Sequence, residues 1–208
     1  MEDSEFTPRR DKYNKNPKKE KTLFQEILST FIYIVVITGI FLSIRLYVMA
    51  PVSVEGASME PTLENGDRLL LNKVGDIERF DIVVFPEPDP EPGEEPRNYI
   101  KRVIGLPGDE ITFQDQTLYI NGDTVEEDYI DLSGVSESDL ESLNSNFSLA
   151  SIEGVEEVPE DAYFVLGDNR VNSKDSRSFG FIDKDLVTGK TRLRIWPLDR
   201  FGFIDDNE

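Results

Sequence analysis

Three polar clusters interrupt apolar segments and hold the residue types that could do chemistry. The first lies in the stretch Val52 to Leu63, where one small hydroxyl, Ser58, stands between Gly56-Ala57 and Met59-Glu60-Pro61. Gly56 permits close backbone approach and Pro61 stops a helix from running on, so Ser58 is expected on a stiff, non-helical backbone. The second cluster, Lys101-Arg102, sits inside the apolar run Tyr99-Ile100 to Val103-Ile104. The third is the loop Gly167 to Arg177, which carries Ser173, Asp175 and Arg177. Taken singly, each has a plain reading: a serine in a strand-to-turn corner, a solvated lysine, an acidic turn with Asx bonds. Taken together they supply a nucleophile, a base and groups to hold both.

Composition narrows the chemistry further. The chain of 208 residues has no cysteine and no histidine. That excludes a thiol nucleophile, a Ser-His-Asp triad and imidazole- or thiolate-bound zinc. No metal and no other cofactor is expected. A hydrolase built from this chain must take its base from Lys, Asp or Glu. Strand alternation could put Lys101 on either face of its strand. If it faces apolar neighbours, desolvation lowers its pKa toward neutrality, and a neutral amine can take the proton from Ser58. Asp175 and Arg177 can pair, and Ser173 can hydrogen-bond an amine.

These clusters need elements to position them. Residues 1–22 form a basic tail with seven basic and five acidic side chains. Residues 23–49 follow as a transmembrane anchor, with 18 consecutive uncharged, mostly apolar residues from Ile27 to Ile44. A helix of roughly 20 residues spans a hydrocarbon core of about 30 Å. The run is too long for the h-region of a cleavable signal, and the basic flank places the N-terminus in the cytoplasm. Residues 50–208 are therefore expected outside the cell membrane, as a single-pass protein with the bilayer as one partner.

Beyond Ser58 the pattern is short β-segments. Strands are expected at 67–74, 80–85, 98–105, 110–113, 117–120, 162–166 and 191–196, with a hairpin at Asn121-Gly122. A Pro/acid loop covers 86–96. The fold class is mostly β, an all-β globule behind one N-terminal helix. Net charge is −20, and residues 46–208 carry 14 basic against 36 acidic side chains. Such a surface excludes nucleic acid as a partner and suits a salty medium, as in a halophile. A melting temperature that does not rise with molar salt would count against that last point.

The chain resembles the bacterial type I signal peptidases. The resemblance rests on four ordered blocks: Gly56 to Leu63; Gly66-Asp67; Tyr99 to Asp109; and Gly167-Asp168-Asn169-Arg170 with Asn172-Ser173 and Asp175-Ser176-Arg177. It implies that Ser58 is the nucleophile, with its backbone N–H in the oxyanion hole, and that Lys101 is the general base. Ser173 would orient the lysine, and Asp175 and Arg177 would support the site. It further implies a serine endopeptidase whose catalytic domain is mostly antiparallel β with an inserted cap at 112–161; the chain is expected to be a monomer. Its substrates would be exported preproteins whose signal peptides are cut after small residues, in an Ala-x-Ala pattern.

Two positions depart from the family pattern. Gly56 stands where some members place an oxyanion-hole serine, so a second donor is unnamed. Val171 stands where members often have Asp. The rival readings are a Ser-Lys protease that cleaves itself, and an inactive, membrane-tethered acidic β-domain that binds exported partners.

Overall fold

Ile27 to Ile44 leave no charge to solvate, and the segment forms one long helix, α1 (Leu23–Tyr47). It is long and apolar enough, over Leu23–Arg45, to cross a membrane. The structure is a computed structural model and describes residues 22–90, 93, 97–130 and 146–204. The expected basic tail at 1–22 thus lies outside the described residues except for Thr22, as do part of the Pro/acid loop and residues 131–145. The helix ends at Tyr47, and Met49 already belongs to the first strand.

Among the described residues every strand pairing is antiparallel, and the strands form two sheets. The larger has the order β1-β2-β11-β3-β4-β9-β10, with β12 paired to β11. Its strands are β1 (Met49–Ser53), β2 (Arg68–Asn72), β3 (Ile82–Pro86), β4 (Asn98–Gly105), β9 (Ala162–Leu166), β10 (Ile182–Asp183), β11 (Gly189–Trp196) and β12 (Gly202–Phe203). The smaller has the order β7-β6-β5-β8 and is built from β5 (Ile111–Gln114), β6 (Thr117–Ile120), β7 (Asp123–Val125) and β8 (Phe147–Ser148). Mostly antiparallel β structure behind one apolar helix is the expected class.

Central position in the larger sheet explains the apolar character of β4. It lies between β3 and β9 and is buried on both faces from Ile100 onward. Ile100 packs with Leu69, Ile82 and Val84, while Val103 packs with Val83, Phe85 and Val165. Among the described residues the smaller sheet has no separate core. Ile111, Phe113, Leu118 and Ile120 share one cluster with Ile104, Phe164 and Leu166 of the larger sheet. The β6–β7 hairpin turns at Asn121-Gly122, both with positive φ (54° and 85°), as that dipeptide favours.

Candidate active site

The corner that holds Ser58 is fixed by burying its neighbours. Past β1 the ladder continues, with Val54 N–H donating to Asp67 O (2.8 Å) and Gly66 N–H to Val54 O (2.9 Å). Met59 and Leu63 are fully buried beside Val54 and Leu69, so the turn between them is anchored at both ends. Burying a side chain of that size contributes about 1.5–3 kcal/mol. Gly56 has φ +84° and donates its N–H to Asn65 Oδ1 at 3.1 Å. Ser58 is left half-buried, facing a cleft of about 330 Å³ whose walls include Gly56, Tyr99, Lys101, Asn172 and Lys174.

Lys101 reaches the same cleft from β4. Strand alternation puts it on the face of Tyr99 and Val103, and Val83 is its neighbour on β3. Only 3% of it is exposed. Its Nζ donates to Ser58 Oγ at 2.7 Å and lies 5.3 Å from the Tyr99 ring centroid. Burial pushes its pKa down to about 8, the nearby Asp175 and Asp168 carboxylates pull it up, and Arg177 pushes it down. The sequence left the face of Lys101 open. A strand buried on both sides gives either face a desolvated amine.

The loop after β9 arrives here because β9 runs antiparallel to β4, with Leu166 opposite Arg102. Asn169 then clasps the Ser58 corner. Its N–H donates to Ser58 O (3.1 Å) and its Nδ2 to Ala57 O (3.0 Å). Gly167 packs so closely that a Cβ there would fall 2.5 Å from Ser58 O. Its N–H donates to Asp175 Oδ2 at 3.0 Å.

Asp175 is fully buried and receives Arg177 Nε at 2.8 Å and Nη2 at 2.7 Å, so the expected pair forms as a fork. Burial alone would raise the Asp175 pKa, but the Arg177 fork and the Gly167 N–H hold it below the ordinary carboxylate range. Ser176 anchors the end of the loop, because its buried Oγ accepts from Val165 N–H at 2.9 Å. Ser173 Oγ is buried against Gly167 and makes no hydrogen bond. It lies near enough to Asp175 to help lower that pKa. Ser58, Lys101, Asp175 and Arg177 are thus linked through hydrogen bonds and charge, while Ser173 is adjacent and unbonded.

Three motif members with no expected role prove to be structural keys. Arg102, fully buried, forks onto Asp168 with Nε to Oδ1 at 2.9 Å and Nη2 to Oδ2 at 2.8 Å. Asn169 is the clasp. The signal was present, since a cation inside a strand as apolar as β4 requires a buried carboxylate partner. A second cleft of about 270 Å³, lined by Thr62, Tyr129, Arg194 and Phe203, contains neither Ser58 nor Lys101.

The arrangement can perform acyl transfer: a hydroxyl in contact with a desolvated amine, in an open cleft, on a backbone clamped from both sides. The family model described as signal peptidase, peptidase S26, matches residues 26–196. The signal peptidase I of Bacillus caldolyticus is 43% identical over 166 residues, covering 77% of this chain and 87% of that one. Signal peptidase IB of Staphylococcus aureus strain COL is 35% identical over 185 residues, covering 85% and 93%. A solved chain of signal peptidase I from Enterococcus faecalis V583 is 41% identical and covers 56% of this chain and 97% of that one, with a TM-score of 0.48. The match over residues 26–196 and the identity to these relatives carry one conclusion: the chain belongs to the signal peptidases of the peptidase S26 family.

Proposed function

We propose that this serine endopeptidase removes signal peptides from exported preproteins with Ser58 as nucleophile and Lys101 as general base. The observation that carries the proposal is the 2.7 Å contact between the buried Lys101 amine and the Ser58 hydroxyl. Neutral Lys101 accepts the Ser58 proton, and Ser58 Oγ attacks the scissile carbonyl. The Ser58 N–H, which donates to no group among the described residues, faces the developing oxyanion. Protonated Lys101 then gives its proton to the leaving amine, and water, activated by the same lysine, resolves the ester. Cleavage after small residues, of the Ala-x-Ala kind, follows from the family likeness.

Asp175 and Arg177 support the site by fixing the loop beside Lys101, and the buried, unpartnered Ser173 hydroxyl is available to orient the amine. The segment 112–161 serves as a cap on the domain 50–208. Helix α1 anchors a monomeric chain in the cell membrane, N-terminus in the cytoplasm and peptidase domain outside. An outside protease acting on sealed cells should digest residues beyond Ala50; protection of that part would overturn the orientation.

The test of the dyad is Lys101→Arg against Lys101→Ala and Ser58→Ala on one preprotein. A guanidinium is not deprotonated in proteins, so Lys101→Arg should be as damaging as Lys101→Ala. The Ser58→Ala/Lys101→Ala pair should cost little more than either change alone. A folded Lys101→Arg variant that cuts at a near-normal rate would leave Lys101 a structural cation.

A further inference from the structure

The catalytic loop is held from beneath by two arginines, and both rest on one short segment that follows β7. Arg102, already paired with Asp168, lies with its guanidinium carbon 4.0 Å from the ring centroid of Tyr129. Arg170 donates Nη1 to Glu127 Oε2 at 3.1 Å and Nη2 to Glu127 Oε1. Its Nε donates to Gly167 O at 3.1 Å, and its own carbonyl accepts from Arg177 Nη2 at 2.9 Å. Tyr129 donates its hydroxyl to Glu127 Oε1 at 2.6 Å. Glu127 and Tyr129, two residues apart, therefore meet both arginines at once.

Burial makes this contact informative. The side chains of Arg170 and Glu127 are 5% and 9% exposed. Most of the 42 acidic residues could be solvated on the surface. A buried ion pair is weak evidence for stability, because desolvation opposes the Coulomb attraction, but it fixes register. Here the register concerns Gly167, whose carbonyl Arg170 holds, whose N–H meets Asp175, and where an added Cβ would fall 2.5 Å from Ser58 O.

We propose that Glu127, backed by Tyr129, is a positioning residue for the dyad: it fixes Arg170, which seats the Gly167–Asn169 backbone against Ser58 and holds Asp175 beside Lys101. The inference rests on the Ser58/Lys101 reading. It makes the exit from the smaller sheet part of the catalytic apparatus, although neither residue touches the substrate.

The test uses the full chain in detergent, one preprotein, and kcat and KM measured beside melting temperature. Glu127→Gln preserves shape and removes the charge. Its kcat should fall about 10- to 100-fold, the scale of a displacement of about 1 Å at reacting groups, with KM within about twofold. The double variant Glu127→Leu/Arg170→Met replaces the ion pair by apolar groups. It should recover the wild-type melting temperature but not kcat, because nothing then holds the Gly167 carbonyl.

A kcat that returns with the melting temperature in the double variant would make the pair structural only. Near-normal kcat in Glu127→Gln would also overturn the proposal, and if that variant does not fold, the double variant decides. Ser58→Ala, assayed alongside, separates the two levels: activity in that variant removes the dyad itself, whatever Glu127 does.

Discussion

Removing Lys101 should stabilise the protein while abolishing its activity. Burial holds the pKa of this lysine at about 8, against an ordinary 10.5. Between those values the unfolded chain binds a proton that the folded chain does not, so stability rises with pH through that window. At pH 7, below both values, the full penalty stands. At about 1.4 kcal/mol for each tenfold change in proton affinity, it amounts to about 3 kcal/mol. Lys101→Met keeps the apolar stem and discards the charge. Loss of the hydrogen bond to Ser58 offsets about 1 kcal/mol, leaving a net gain of about 2 kcal/mol. For a chain of this size that is a rise of about 4–8 °C in Tm. The gain should vanish by about pH 10.5, where the wild type no longer carries the penalty. Thermal melts of both full-length proteins in one detergent, at pH 7 and pH 10.5, measure it. A Met variant no more stable than wild type at pH 7, or equally advantaged at both pH values, would refute the argument.

With Lys101 as the proposed base, the same lysine should set the pH dependence of cleavage. The kcat/KM should rise with pH through a midpoint near 8 as Lys101 loses its proton; a profile flat from pH 6 to 9 would remove Lys101 as base. Arg177→Gln frees the charge of Asp175 to act on Lys101, so the midpoint should move up, and an unmoved midpoint would show that Arg177 does not shield the carboxylate. Gly167→Ala would drive a Cβ against Ser58 O and Ser173, costing about 1–3 kcal/mol in stability, with at least tenfold in kcat because Ser58 is displaced. Normal kcat in that variant would mean that the corner adapts without moving the nucleophile.

How much of this was legible depends on how local each signal was. Asn121-Gly122 specifies its hairpin from two adjacent residues, and the apolar run before Arg45 specifies its helix from length alone. Strand β4 was legible over its full span, Asn98–Gly105. Which face Lys101 takes was not, because a strand buried on both sides loses the period-2 contrast that assigns faces. Strands β10 and β12, two residues each, are too short to carry a pattern. In the site, the Asp175–Arg177 fork is local and was foreseen. The Arg102–Asp168 pair joins residues 66 apart, and Glu127–Arg170 joins residues 43 apart. In a chain with 42 acidic residues, nothing in the sequence marks Glu127 as buried rather than solvated.

On the proposed Ser58/Lys101 dyad, those long-range pairs bear directly on how a lysine would serve where no histidine exists. A lysine base needs desolvation to bring its pKa near the working pH, and desolvation requires packing it deep in the sheet. Yet the loop that clamps Ser58 also carries Asp175 and Asp168, and both raise the Lys101 pKa. Left bare, two buried carboxylates would return the amine toward its ordinary value and keep it protonated. Each is instead covered by an arginine fork, Arg177 on Asp175 and Arg102 on Asp168. The forks let the carboxylates organise backbone N–H groups, as Asp175 does for Gly167, while part of their charge is spent locally. The arginines therefore serve the base as well as the fold. A chain that relies on lysine must neutralise the acids that build its site, and Arg102, adjacent to Lys101 on β4, ties that neutralisation to the strand that carries the base.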